Sequence, residues 1–292
     1  MSASLVIVAV GALVAASAGL VGSFLVLRRM TMLGDAISHA VLPGIALGFL
    51  VTGSRAAPVM LVGAALFGLL TTYLVQALER AGVREDAGTG VTYTALFALG
   101  VALISAFAGH VHLDLDHVLY GEIALAPWDH WLLGEVNLGP RALWTMGAVF
   151  AVDLAAVVVF YKELKICAFD PQMAGALGLN VTAFHYLLMT LVSITTVGAF
   201  DAAGAILPVA MLVIPGAAAY LLTDRLSRML VLAVGLGVLC SVLGYLLATA
   251  TDTPVAGAMA AAGGAVFLGA FVVHRLRSEE HTSELQSQFH LV

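Results

Sequence analysis

Long apolar runs alternate with short polar connections along nearly the whole chain. The runs fall near residues 4–27, 36–52, 56–78, 88–109, 142–161, 182–200, 203–222, 229–249 and 254–273. A helix crosses a hydrocarbon core with roughly 20 apolar residues. The second run is short for a span, and only Asp201 and its neighbours separate the sixth from the seventh. The pattern predicts an all-α, polytopic membrane bundle of eight to ten spans, with nine preferred. The first run, about 24 residues from 4 to 27, is too long for a signal-peptide core, and no A-x-A site precedes a soluble domain. It reads as a retained span. The connection at 110–141 has room for a re-entrant or interfacial helix around Trp128 and Trp131.

Composition agrees. Hydrophobic residues make up 61% of the 292, charged residues 10%, and the mean hydropathy is +1.04. A soluble domain averages about 45–50% apolar and about 25% charged, so the chain cannot cover a water-facing surface. Intrinsic disorder is excluded by the same figures. With 12 Lys+Arg against 18 Asp+Glu, there is no basic footprint for nucleic acid. Cys167 lies in a polar connection and Cys240 in an apolar run, so no disulfide is expected. Ten cations (Arg28, Arg29, Arg80, Arg84, Lys162, Lys165, Arg225, Arg228, Arg275 and Arg277) fall in alternate connections, and only Arg55 and Arg141 fall in the others. The positive-inside rule then places the N-terminus outside and the C-terminus in the cytoplasm. The transmembrane body is expected over 1–276. The polar tail 277–292 begins RSEEHTSELQS and reads as a translated sequencing adapter, which takes it out of functional reasoning.

Few polar residues sit where chemistry is possible. In RRMTMLGDAISHAVLPGIALGF, Asp35 and His39 are four apart and share one helical face. A carboxylate and an imidazole so placed can hold one divalent ion, and the imidazole favours a first-row transition metal. The plainer alternative is a capping aspartate and a histidine bonded to a carbonyl. Polar residues in a span are costly, however, and usually face a bundle interior or an aqueous path. Gly44 and Gly48 form a G-x-x-x-G pair that permits close helix contact. Asp153 lies midway along an apolar run, where a charge costs about 2.5–3.5 kcal/mol to insert. It must be protonated, paired across helices or turned to a cavity. The run HVHLDLDH, 110–117, either gathers divalent cations or is a solvated loop. KELKICAFDPQMAGALGLN, from Lys162, is too polar to span and reads as a short helix after Pro171, capped by Asp170 and ending near Gly178. Pro208 and Pro215 would kink the run that follows Asp201.

Three stretches, GDAISHAVLPGIALGF, FDPQMAGALGL and GAFDAAGAILPVAMLVIPGAAAYLLTDRL, together resemble the permease family of ABC importers for zinc, manganese or iron(II), collinearly from about residue 5 to 275. The resemblance implies a bacterial cytoplasmic-membrane permease paired with a second copy or a paralogue. It also implies a separate ABC ATP-binding subunit that binds ATP, and an extracytoplasmic metal-binding protein. Asp35 and His39 match the family's intramembrane metal-coordinating positions. Phe169 to Gly178 resembles its coupling helix, which implies ATPase-facing roles for Phe169, Asp170, Ala174, Leu177 and Gly178. Gln172 stands there where a glutamate is frequent. Glu122 matches an acidic or amide position at the outer entrance, whereas Asp153 matches no motif. AFDAAGA, with Asp201, is more similar to the manganese/iron branch than to the zinc branch.

Other functions fare less well. An intramembrane metalloprotease needs H-E-x-x-H, which the sequence lacks. Neither Lys162 nor Lys165 lies in a phosphate-binding G-x-x-x-x-G-K-[ST] loop, so the chain is not itself an ATPase or other enzyme. A secondary transporter or channel for divalent cations stays open on composition alone.

Overall fold

The computed structural model describes residues 2–52, 57–107, 123–133, 136–204 and 206–289. Among them, nine long helices occupy the nine apolar runs: α1 (Ala3–Leu27), α2 (Thr31–Thr52), α3 (Ala57–Arg80), α4 (Glu85–Phe107), α5 (Arg141–Val159), α8 (Val181–Ala203), α9 (Ile206–Leu222), α10 (Leu226–Thr251) and α11 (Val255–Phe289). Two short helices, α6 (Tyr161–Phe169) and α7 (Pro171–Ala176), follow α5. Seven of the long helices are long and apolar enough to cross a membrane, and α9 is a shorter apolar helix. The protein is an all-α, multi-pass membrane bundle.

The most apolar N-terminal run becomes the axis of the fold. α1 packs against α5, α8, α9 and α10, and its Val10, Val14, Val21, Phe24 and Leu25 are fully buried. Small residues allow this crowding, because lipid gives helices no hydrophobic drive to associate and close backbone contact must replace it. A Cβ on Gly22 would collide with the Leu212 carbonyl of α9, and one on Gly237 of α10 would come 2.9 Å from the Ala15 carbonyl. A second group is built on α2, which packs on α3 and α4, while α3 reaches across to α8. The close contact expected of Gly44 and Gly48 is there: a Cβ on Gly63 of α3 would strike the Gly44 carbonyl. Several buried hydroxyls are satisfied within their own helices, as where Ser23, Ser38 and Ser193 donate to the carbonyls of Gly19, Gly34 and Met189.

The helices depart from the apolar runs at informative places. α2 starts at Thr31, five positions before its run, so Asp35 lies inside the helix. α8 continues through Asp201 to Ala203 and stops where Gly204 takes φ +73°. Instead of an interfacial helix around Trp131, the chain forms an antiparallel hairpin of β1 (His130–Leu133) and β2 (Val136–Pro140). Gly139, at φ +88°, and Pro140 end it; neither suits a helix interior. The Trp144 indole N–H donates to the Leu138 carbonyl at 2.9 Å and ties the hairpin to α5.

Candidate functional site

α2 brings Asp35 and His39 together as their spacing requires. His39 Nε2 stands 3.7 Å from Asp35 Oδ1, with the side chains 45% and 38% exposed. Two ligands that share an ion at about 2.0–2.2 Å stand roughly 3.0–3.4 Å apart, so a small rotamer change closes the pair on a metal. α4 supplies the neighbouring wall, which sequence reasoning did not single out. The Tyr93 ring centroid lies 5.7 Å from that of His39, and the Phe97 ring meets it edge-on at 5.9 Å. Their four-residue spacing on α4 was the available signal. Pro43, one turn beyond His39, has no N–H, so the His39 carbonyl lacks the donor an unbroken helix would give it. α4 crosses at this point so closely that a Cβ on Gly100 would come within 2.8 Å of the Pro43 ring. The pair thus has a carboxylate, an imidazole and a backbone oxygen in one turn of helix, beside aromatic rings.

The other acids are elsewhere. Asp153 is fully buried on α5, and its Oδ2 accepts from the Thr195 hydroxyl of α8 at 2.7 Å, while Oδ1 has no partner. It is paired across helices, one of the three ways a mid-span carboxyl can be accommodated. Thr195→Val removes that donor and leaves the carboxyl unsatisfied, a loss of about 1–3 kcal/mol. Thermal unfolding in detergent should register it as a lower midpoint, and an unchanged midpoint would show that the contact carries no stability. Asp201, at the end of α8, lies 3.8 Å from the Arg141 guanidinium at the start of α5. Glu122 and the 110–117 run lie outside the described residues. Among the described residues no three His, Cys, Asp or Glu side chains converge.

The predicted surface helix is present as α7. The Asp170 carboxylate accepts from the Met173 N–H at 2.9 Å, Pro171 occupies the first turn, and Gly178 at φ +81° turns the chain out, with the Leu179 N–H donating to the Ala174 carbonyl. Phe169, Met173 and Leu177 are 57%, 55% and 62% exposed. Ala174 is fully buried, so it seats α7 on the bundle and offers no surface to a partner.

A bundle of apolar helices with a carboxylate–imidazole pair inside one of them defines a multi-pass membrane protein with a polar site in a span. The description of the ABC 3 transport family matches residues 3–274, and the chain belongs to that family. It is 51% identical over 266 residues to the manganese transport system membrane protein MntD of Bacillus subtilis, covering 91% of this chain and 90% of that one. It is 45% identical to the zinc transport system membrane protein TroD of Treponema pallidum, covering 89% and 71%. Among solved structures it superposes on PsaBC from Streptococcus pneumoniae in complex with Fab, with a TM-score of 0.77, 32% identity and coverage of 93% and 91%.

Proposed function

We propose that the chain is the membrane-spanning subunit of an ATP-driven importer of a divalent transition metal (manganese, iron(II) or zinc). In this reading it works as a pair with a second permease, beside a separate ATP-binding subunit and an extracytoplasmic metal-binding protein. The observation that carries the reading is the Asp35–His39 pair, set one turn apart in a span. Relatives named for manganese and zinc transport support it. The pair stands on a partly open face of a single copy, and two copies would offer two carboxylates and two imidazoles to one path. Metal would exchange water for these ligands and leave inward when they separate. The cation asymmetry puts 162–180 in the cytoplasm, where α7 would meet the ATPase.

Reconstituted vesicles test the whole reading. Accumulation of manganese, zinc or iron(II) should require ATP on the cytoplasmic face and the co-purified ATPase. Accumulation that persists without either, driven by the metal gradient or membrane potential, would identify a secondary carrier or channel instead.

A further inference from the structure

A second polar site lies at the end of the bundle where α1 and α3 stop and α8 begins. A cavity of about 550 Å³ opens there, with Arg28, Arg29 and Arg80 in its wall and Glu79 as its one acidic residue. Its size falls in the roughly 300–1,000 Å³ range of ligand pockets. None of the three arginines makes an ion pair or side-chain hydrogen bond among the described residues. Arg28 is half-buried, and that burial holds its pKa below the ordinary value. Removing a guanidinium from water without a counter-charge is unfavourable, and three guanidiniums against one carboxylate give this wall an excess of positive charge.

Further polar groups line the cavity. His185, only 6% exposed, lines the cavity, and its Nε2 has no partner. The Gln76 carbonyl oxygen accepts from the Tyr186 hydroxyl at 3.0 Å, which leaves the amide NH₂ to donate. Val181 and Thr182, in the first turn of α8, also line the wall, adding the positive end of a helix dipole. Arg29 is held at φ +59° in the turn between α1 and α2, so the short turn fixes its direction. Leu27, Met30 and Ala168 give the cavity an apolar side.

We propose that this cavity binds a phosphate-bearing anion, and that its source is the headgroup of an anionic phospholipid in the cytoplasmic leaflet. Guanidinium groups bind phosphate oxygens in fork geometry, and basic pockets between spans on the cytoplasmic side are suited to such headgroups. The apolar flank accepts the start of an acyl chain, which a free phosphate does not need. Because α2 follows Arg29 directly and Pro171 of α7 also lines the cavity, the lipid would brace the metal-bearing helix against the surface helix.

The test uses the permease purified with its partners from membranes containing phosphatidylethanolamine, phosphatidylglycerol and cardiolipin. Native mass spectrometry follows the phospholipid retained through progressive detergent washing. The wild type should keep an anionic phospholipid, and Arg28→Gln combined with Arg80→Gln should lower its retention about tenfold. Arg28→Lys, which keeps the charge but loses the fork, should retain an intermediate amount, and Arg225→Gln, at the same end but outside the cavity, should change nothing. A monodisperse gel-filtration peak for each variant establishes that loss is not unfolding. Inorganic phosphate bound by the wild type and lost in the double variant, with no lipid retained, would keep the phosphate site and assign its source to the free anion. Equal lipid and phosphate binding in wild type and double variant would overturn the proposal. So would loss of the ATPase subunit with lipid retention unchanged, which would mark the arginines as a socket for an acidic side chain of that partner. Metal uptake is not a readout here, so failure of this proposal leaves the transport reading untouched.

Discussion

Asp35→Ala and His39→Ala are each expected to lower metal uptake at least about 100-fold at unchanged membrane abundance, because loss of supporting groups alone costs 10–100-fold in metal sites and the proposed function makes these two the ligands themselves. The magnitude follows from how little else is near. The pair stands at 3.7 Å, and among the described residues no third His, Cys, Asp or Glu joins it. Beyond the backbone oxygen freed by Pro43, the described residues of one copy therefore offer no reserve His, Cys, Asp or Glu ligand. Asp35→Asn separates charge from shape. It keeps an oxygen of the same reach but removes the formal charge that a hard divalent ion needs when it sheds water, so it should be nearly as severe as Asp35→Ala.

The same series distinguishes the pair from the other acids. Asp153→Asn should leave uptake close to normal, because its carboxyl is engaged by Thr195 inside the packing and Asn can still accept that bond. Asp201→Asn should have an intermediate effect at most, since Arg141 already faces that carboxylate. Metal accumulation measured at matched abundance decides the matter. Near-normal uptake by both Asp35→Ala and His39→Ala would move the site towards Glu122 and Asp201.

Hydropathy carried the architecture well, because each span must bury its own backbone polar groups in a single helix, and that leaves an unbroken apolar run in the sequence. It carried helix ends poorly wherever a polar residue belongs to the helix, as with Asp35 in α2 and Asp201 in α8. An apolar count stops at such residues, but helical hydrogen bonding does not. The hairpin at 130–140 was illegible for another reason: two strands this short bury too little to leave a period. Asp35 and His39 could be paired from spacing alone, since four residues is a turn of helix. Thr195 could not be assigned to Asp153, because 42 residues separate them and only tertiary packing brings them together. Burial was equally out of reach at α7, where Ala174 reads as one more small residue on a polar helix yet is fully enclosed.

Leu177→Glu and Met173→Glu are expected to abolish ATP-driven uptake while the permease still inserts and keeps its fold. α7 is a short helix, closed by the Asp170 cap at one end and by Gly178 at the other. Ala174 anchors its inner face, Met173 and the C-capping Leu177 are exposed, and so is Phe169, which ends α6 just before it. Phe169, at the end of α6, lines a 610 Å³ cavity with Tyr220 of α9 and Met229 of α10. A carboxylate on the projecting face must be desolvated when a partner closes over it. Unless it is paired, that costs several kcal/mol, enough to displace an apolar contact surface altogether. Ala174→Glu is the less useful variant, because a charge forced into a closed site destabilises the permease itself. Asp170→Ala should be milder, loosening the cap by about 0.5–2 kcal/mol and lowering the transport obtained per ATP hydrolysed. Co-purification of the ATPase, together with hydrolysis and uptake measured on the same vesicles, separates these outcomes. Loss of binding, or hydrolysis that no longer yields uptake, is the expected result for Leu177→Glu. Normal co-purification with normal uptake would remove α7 from the coupling surface and leave the cavity-lining ends of α9 and α10 to carry the contact.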